Sequence, residues 1–361
     1  MPIRDSGQAD GGSDAAVATD ASTFDAGLQD AAPYGHVLYL NFSGGPLLYG
    51  AVNDAVKNVS SVSKNFQDIA VPAFMDDFAR DATHATRQGV VDAISQQVAA
   101  LYSPYDVQVV TRRPPLAAYT MVVVGGTQID LETTALGFAG IATTFACGPG
   151  SVADRDVGFV VTDDNFGVSV THPLPLPGTA SVAAHEAGHM FGLDHNQNPQ
   201  STMSVGYKGF LGWAEGNVLQ DTSSAHCART IQNDADVLLA NLGARVPRPT
   251  VPPPPDTTPP LLDIVSPLAD STISPTSAPC VNASDASGLR MVMLQTFIVS
   301  GSNVFVRHQS GRTSAPFVFV PEDTEGTWTY RFVAVDLWDN ITERRRTVQV
   351  RNDAPSGPPC P

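Results

Sequence analysis

Short apolar runs mark the first two thirds of the chain. Residues 36–42, 107–110, 119–124 and 157–161 are such runs, bounded by glycine, proline or polar turns, and they predict buried strands. Between the first two runs, apolar side chains recur at spacings of three and four over residues 76–102, which predicts a helix. This order is typical of a twisted mixed sheet with a helix packed on it.

The pattern changes after a proline-rich segment. Residues 246–260 contain eight prolines, which favour polyproline II and predict a semi-rigid linker of roughly 40–50 Å. Beyond it, apolar and polar positions alternate with a period of two, most clearly over residues 327–335. About seven such strands within residues 261–361 predict an all-β sandwich. We therefore expect two folded domains, over residues 34–245 and 261–361.

The first 33 residues are rich in Asp, Ala, Gly and Ser. They cannot bury enough apolar surface to offset the entropy of ordering, so we expect a disordered spacer. The segment resembles the tethers that follow signal sequences in exported bacterial lipoproteins. No apolar signal segment follows Met1, so either the natural start lies upstream or the sequence is truncated.

The chemistry of the first domain is concentrated in residues 185–195, which read H-E-x-x-H-x-x-G-x-x-H. On a helix, His185 and His189 lie on one face, one turn apart, and can bind a single Zn²⁺. Glu186 is displaced around the helix, which suits a general base rather than a ligand. Gly192 tolerates the left-handed conformation that ends helices, so the chain can turn and bring His195 to the metal. Three histidines leave one position open, as in catalytic zinc sites.

These five fixed positions match the extended motif of the metzincin zinc metalloproteases, which the chain resembles over roughly residues 36–243. Met203 resembles the methionine that metzincins carry in a tight turn after the third histidine. The spacing from Met203 to Tyr207 is most similar to the matrixin branch. Asn196, after the third histidine, identifies no subfamily. The resemblance implies an α+β catalytic domain with a twisted mixed sheet and three helices.

Two further features follow from this resemblance. Metzincins border their cleft with an edge strand that pairs with extended substrate, and residues 137–144 are the candidate, although an ordinary strand and turn is the alternative. Matrixins often bind Ca²⁺, and Asp163, Asp164 and Asn165 offer oxygen ligands. Three donors are few for Ca²⁺, and a solvated turn is the favoured alternative.

Two further helices and five further histidines are assigned as follows. Thr179 or Ser181 is expected to cap the active-site helix, which runs to about Phe191, and a third helix is expected to end at Gly243. The remaining histidines lack metal-ligand spacing and are expected to be surface or locally satisfied residues. They are His36, His84, His172, His226 and His308.

The second domain resembles bacterial immunoglobulin-like modules at residues 256–260 and 334–340. Such modules follow many secreted enzymes, so a spacer, adhesion or substrate-docking role is expected. Its sequence contains no catalytic constellation.

The net charge and the cysteines limit the possible partners of the protein and its cellular compartment. The net charge of −16 argues against nucleic acid as a partner, and no apolar run reaches the ~18 residues of a membrane span. Two cysteines fall on each side of the linker, and we predict Cys147–Cys227 and Cys280–Cys360 disulfides, with four free thiols as the alternative. Disulfides imply an oxidising compartment, so we expect a protein that is secreted or extracellular, or tethered to the bacterial cell surface.

The predicted function is a secreted zinc endopeptidase acting on protein or peptide substrates, with one catalytic Zn²⁺. Glu186 takes a proton from metal-activated water and delivers it to the leaving nitrogen. Tyr207 is a weaker candidate for stabilising the oxyanion. Two alternatives remain open: a zinc hydrolase of a non-peptide amide or ester, and an adhesion protein with a degenerate catalytic domain. We expect a monomer.

Overall fold

The first domain is built around a five-stranded sheet. The structure, a computed structural model, describes residues 35–62, 68–75, 82–127, 131, 140–142, 146–147, 152–162, 176–204, 212–220, 227, 229–300, 303–322, 324–357 and 360. In chain order, the elements of this domain are β1 (His36–Asn41), β2 (Gly45–Tyr49), β3 (Val59–Ser60), β4 (Ile69–Val71), α1 (Arg87–Leu101), β5 (Val107–Val110), β6 (Thr120–Val124), β7 (Gly140–Ala142), β8 (Val157–Val160), α2 (Leu176–Met190), β9 (Val218–Leu219), β10 (Ile231–Gln232) and α3 (Asp234–Leu242).

The strand order of the main sheet is β5-β1-β6-β8-β7. The first four strands are parallel to their neighbours, and β7 runs antiparallel to β8 at the edge. The four predicted strands and the mixed sheet are therefore confirmed. The predicted edge strand is described only over Gly140–Ala142, and its other residues lie outside the described part of the chain.

The two faces of this sheet contribute to separate cores because side chains alternate along a strand. Leu38 and Leu40 of β1 pack in a core with the buried residues of α1 and α2. Val37 and Tyr39 face the opposite side, where β2, β3 and β4 form a small sheet over them. Helix α2, which carries the first two histidines of the motif, thus packs only on the face of Leu38 and Leu40.

Both flanking helices differ from the prediction at their first residues. Helix α1 begins at Arg87 rather than near residue 76, because Thr86 caps it by accepting a hydrogen bond from the N–H of Gly89 at 3.1 Å. Helix α2 begins at Leu176, so Thr179 and Ser181 lie inside it, buried, and do not cap it. The third helix ends at Leu242, and Gly243 follows with a positive φ of 76°, as predicted.

The second domain consists of two sheets that share one core. Its strands are β11 (Leu261–Ser266), β12 (Thr272–Ile273), β13 (Cys280–Ser284), β14 (Leu289–Ser300), β15 (Asn303–Arg312), β16 (Phe317–Val318), β17 (Gly326–Asp336) and β18 (Ile341–Val350). The sheet orders are β11-β13-β16 and β12-β18-β17-β14-β15. Trp328, Tyr330 and Phe332 of β17 fill the space between the sheets, as the period of two predicts. The relation to immunoglobulin-like modules stays a prediction.

The linker does not behave as a free spacer over its first half. The guanidinium of Arg248 pairs with Asp106, and the N–H of Val251 donates to the side chain of Gln108 at 3.1 Å. Val251 also packs against the core that lies between the main sheet and the small sheet of β2, β3 and β4. These contacts hold the segment along β5.

The two domains also contact each other directly. Ala73 of the first domain packs in an apolar cluster with Met291, Met293, Val333 and Val335 of the second. Beside this cluster lies an ion-pair group centred on a buried aspartate of the second domain, Asp339. The domains are therefore joined by a direct interface as well as by the linker.

Both predicted disulfides are present. Cys147–Cys227 closes a loop in the first domain and Cys280–Cys360 in the second, each with a sequence separation of 80 residues. None of the described helices is long and apolar enough to cross a membrane.

Candidate metal centre

The three motif histidines converge on one point. His185 and His189 lie one turn apart on α2, and the chain beyond the helix brings His195 opposite them. The Nε2 atom of His185 is 3.1 Å from that of His189 and 3.1 Å from that of His195, and the third separation is 3.2 Å. The structure thus assembles all three predicted ligands.

A glycine permits the turn that places the third histidine. Gly192 has a φ of +100°, and its N–H donates to the carbonyl of His189 at 3.0 Å. A Cβ atom at this position would lie 2.2 Å from the side-chain nitrogen of Asn241 and 2.7 Å from the carbonyl of Ala146. Both the conformation and the space therefore require glycine here.

The hydrogen bonds of the rings orient their metal-facing nitrogens. The Nδ1 atom of His185 lies 2.6 Å from the carbonyl of Thr202, and that of His189 lies 2.9 Å from the carbonyl of Leu193. A carbonyl only accepts, so each Nδ1 carries the proton and each Nε2 presents a lone pair. Burial lowers the pKa of His185 to about 4, against the opposing effect of the Thr202 carbonyl, so this ring is neutral.

This donor set fits zinc. The lone pairs of His185 and His189 converge with the His195 nitrogen on one point, where a cation would offset their mutual repulsion. Tetrahedral Zn²⁺ with Zn–N bonds of about 2.0–2.1 Å requires nitrogens about 3.3–3.4 Å apart, close to the separations observed.

Glu186 lies between the helix and the edge strand. Its carboxylate accepts a hydrogen bond from the backbone of Ala142 in β7, and the side chain is buried. A Cβ atom at Gly140 would lie only 2.4 Å from its Oε1. Burial raises the pKa of Glu186 to about 8, and the hydrogen bond from Ala142 opposes that rise. A neighbouring dication would favour the ionised form, which is the form a base needs.

Met203 forms the apolar base of the site. It is fully buried, and a Cβ atom at Gly188 of α2 would lie 2.8 Å from its sulfur. Its carbonyl accepts the N–H of Asn196 at 3.0 Å, which ties the methionine turn to the residue after the third histidine. The position matches the one predicted for the turn methionine.

Two buried carboxylates behind the site were missed by the sequence reasoning. Asp194 accepts hydrogen bonds from the N–H groups of His195 at 2.8 Å and Cys227 at 2.6 Å. Asp234, at the start of α3, accepts from Asn196, from the hydroxyl of Ser201 and from other groups, and burial raises its pKa against these bonds. The only sequence signal for Asp194 is its position between Leu193 and the third histidine of the motif.

The remaining predicted residues either lie outside the described part of the chain or lie apart from the three histidines. Tyr207 and the proposed calcium ligands Asp163, Asp164 and Asn165 lie outside the described residues, as do His172 and His226. Nothing found in the comparisons supports a calcium site. His36 lies 3.5 Å from the carboxylate of Asp154, and among the described residues His84 belongs to neither group of side chains that could hold a metal ion. The side chain of His308 lies outside the described part of the chain.

Comparison with known proteins connects this geometry to a family. Residues 162–221 match the model of the matrixin family, peptidase M10. No curated protein matches the chain. A crystal structure of wild-type OgpA from Akkermansia muciniphila is 9% identical over 91% of this chain and 96% of its own, with a TM-score of 0.25, too low to support any argument. The matrixin match, together with the three histidines, supports a metzincin-like zinc metalloprotease.

Proposed function

We propose that this chain is a secreted zinc endopeptidase whose general base is Glu186. The observation that carries the proposal is the convergence of three histidine Nε2 atoms, 3.1–3.2 Å apart, beside a buried carboxylate, within a segment that matches matrixins. His185, His189 and His195 would hold the ion. When bound, zinc would supply Lewis-acid activation of water and of the scissile carbonyl.

The other roles belong to the protein's own groups. Glu186 takes the proton of the attacking water and delivers it to the leaving nitrogen. The hydrogen bond from Ala142 holds this carboxylate in place. Strand β7 is paired only with β8 among the described strands, so its outer edge offers backbone groups to an extended peptide.

Peptide substrates are favoured over other amides or esters by the same features. An edge strand beside the base suits extended polypeptide, and the matched family is a peptidase family. The complete set of ligands and base gives no support to a degenerate domain. The two disulfides support export to an oxidising compartment. The second domain would hold the enzyme near a surface or matrix.

The test uses the full chain loaded with zinc and a mixed peptide library. The isosteric E186Q variant should retain zinc and lose about 10²–10⁴-fold in cleavage rate. E215Q is the matched control because Glu215 is exposed, and it should cleave at the wild-type rate. A zinc-loaded wild type that cleaves no peptide, or an E186Q variant as active as wild type, would contradict the proposal.

A further inference from the structure

The segments joined by the Cys147–Cys227 disulfide form hydrogen bonds to the chain on both sides of Gly192. On one side, the N–H of Ala146 donates to the carbonyl of His189 at 3.4 Å. On the other side, Cys227 is joined to Asp194, the residue immediately before the third histidine. The disulfide therefore links the end of α2 to the chain that carries His195.

Asp194 transmits this link. It is fully buried, and its two carboxylate oxygens divide their hydrogen bonds. One oxygen accepts the N–H of His195 at 2.8 Å, and the other accepts the N–H of Cys227 at 2.6 Å together with the side-chain amide of Gln220. The carboxylate thus bridges the backbone of a metal ligand and the backbone of a disulfide cysteine.

Two neighbours hold the same stretch of backbone. The side chain of Gln232 pairs with both backbone groups of Asp194, at 2.9 Å and 2.7 Å. The guanidinium of Arg229, two residues from Cys227, donates to the carbonyls of Cys147 and Gly192 at 3.1 Å and 2.8 Å. These bonds depend on the segment around Cys227 staying beside the turn, and the disulfide keeps it there.

We propose that Asp194 is a positioning residue for the third zinc ligand and that the Cys147–Cys227 disulfide sets zinc affinity through it. The inference rests on the zinc site of the proposed function. Groups that orient metal ligands typically contribute about 10–100-fold to metal affinity. We expect the same of this pair.

The chain contains a matched control for the disulfide. Cys280–Cys360 closes a loop of the same sequence separation, 80 residues, so its removal relaxes the unfolded chain to the same extent. It lies in the second domain, away from the metal site. A difference between the two deletions therefore reports the local contacts of the first disulfide.

The experiment measures zinc affinity of the full chain by competition with a chromophoric chelator. C147S/C227S and D194N should each bind zinc about 10–100-fold more weakly than wild type, whereas C280S/C360S should remain within twofold. Because the disulfide acts through the carboxylate, the combined C147S/C227S/D194N variant should bind no more weakly than the weaker of its parents. A purely structural role would instead give additive losses.

Other outcomes overturn the inference. Equal zinc affinity in the two disulfide variants, or additive losses in the combined variant, would do so. If C147S/C227S does not fold, the zinc affinity of D194N tests the inference on its own, with the exposed D270N as its control. A wild type that binds zinc but cleaves nothing contradicts the proposed function only, because the affinities still decide this inference. A wild type that binds no zinc overturns both.

Discussion

Two buried polar regions of this molecule contain aspartates in opposite surroundings. Behind the metal site, Asp194 and Asp234 accept hydrogen bonds from backbone N–H groups, amides and a hydroxyl. At the interface between the domains, Asp339 is paired with the guanidinium groups of Arg113 and Arg290. In the first region the hydrogen bonds to the two carboxylates come from neutral groups, with the cation Arg229 nearby, whereas in the second region one carboxylate pairs directly with two guanidinium groups.

This difference follows from what each region must hold. Carboxylates near a dication lower the energy of the ion, and hydrogen bonds from neutral groups orient them without cancelling their charge. At the interface, Asp339 also accepts from the hydroxyl of Tyr39, so one carboxylate joins two domains. A buried charge of this kind is tolerated only when its partners are complete.

The largest expected effect comes from removing the charge at the interface. D339N leaves Arg113 and Arg290 buried without their carboxylate, which should lower the free energy of unfolding by about 3–5 kcal/mol. Asparagine keeps the shape and tolerates the left-handed φ of 66° at this position. Chemical denaturation of wild type and variant measures the difference.

The matched control for this variant is D270N. Asp270 has a similar φ of 53° but is exposed, so the same substitution should change stability by less than about 0.5 kcal/mol. Folded D339N should bind zinc as wild type does. Equal stability of D339N and D270N would mean that the interface is not held by this carboxylate.

At the histidine site, adding one methyl group beside Glu186 should lower the catalytic rate more than the stability of the fold. In G140A the new methyl group would lie 2.4 Å from Oε1 of Glu186 and must displace the carboxylate. A displacement of about 1 Å at a catalytic group can cost 10²-fold in rate, so kcat should fall by about 10–100-fold with zinc still bound. Peptide cleavage and zinc content are measured on the same sample.

G212A controls for the exchange of glycine for alanine. At Gly212 the nearest atom to an added Cβ is the Gln200 carbonyl at 3.9 Å, so the methyl group fits. Its kcat should stay within twofold of wild type. A G140A variant with full activity would show that Glu186 is not confined by β7.

The features that could be predicted from the sequence are those set by the spacing of neighbouring residues. The three histidines, the turn glycine and the strands of the main sheet follow from periods and motifs within a few residues. The buried carboxylates depend on contacts between distant segments: Asp194 and Cys227 are 33 residues apart, and Tyr39 and Asp339 are 300 apart. Asp339 belongs to the stretch that resembled an immunoglobulin-like module, and only the tertiary structure shows that it joins the two domains.

Acid should weaken the interface through a second carboxylate. Burial alone would raise the pKa of Glu343, but Arg331 and Arg345 outweigh it and lower that pKa to about 2. Arg331 also donates to the carbonyl of Phe74 in the first domain, at 3.1 Å. Because the folded pKa lies below the ordinary value of 4.5, this stabilisation is present above about pH 4.5 and is lost as the pH falls towards 2.

The expected size of this acid effect is on the order of 2 kcal/mol. Denaturation of wild type and E343Q at pH 7 and pH 3 measures it. The two proteins should differ at pH 7 and become more alike at pH 3. A difference that stays constant between these pH values would show that Glu343 does not titrate with the interface.

The smallest expected effect comes from the methionine packed beneath the three histidines. Met203 is packed against Gly188, and leucine has nearly the same volume, so M203L should cost less than about 1.5 kcal/mol of stability. The backbone bond between the Met203 carbonyl and Asn196 persists, so zinc affinity should change by less than threefold. M203A removes the support and should weaken both stability and zinc binding. If M203L loses zinc while it remains folded, the sulfur itself contributes to the metal site, and the neutral hydrogen bonds behind the histidines do not suffice to hold it.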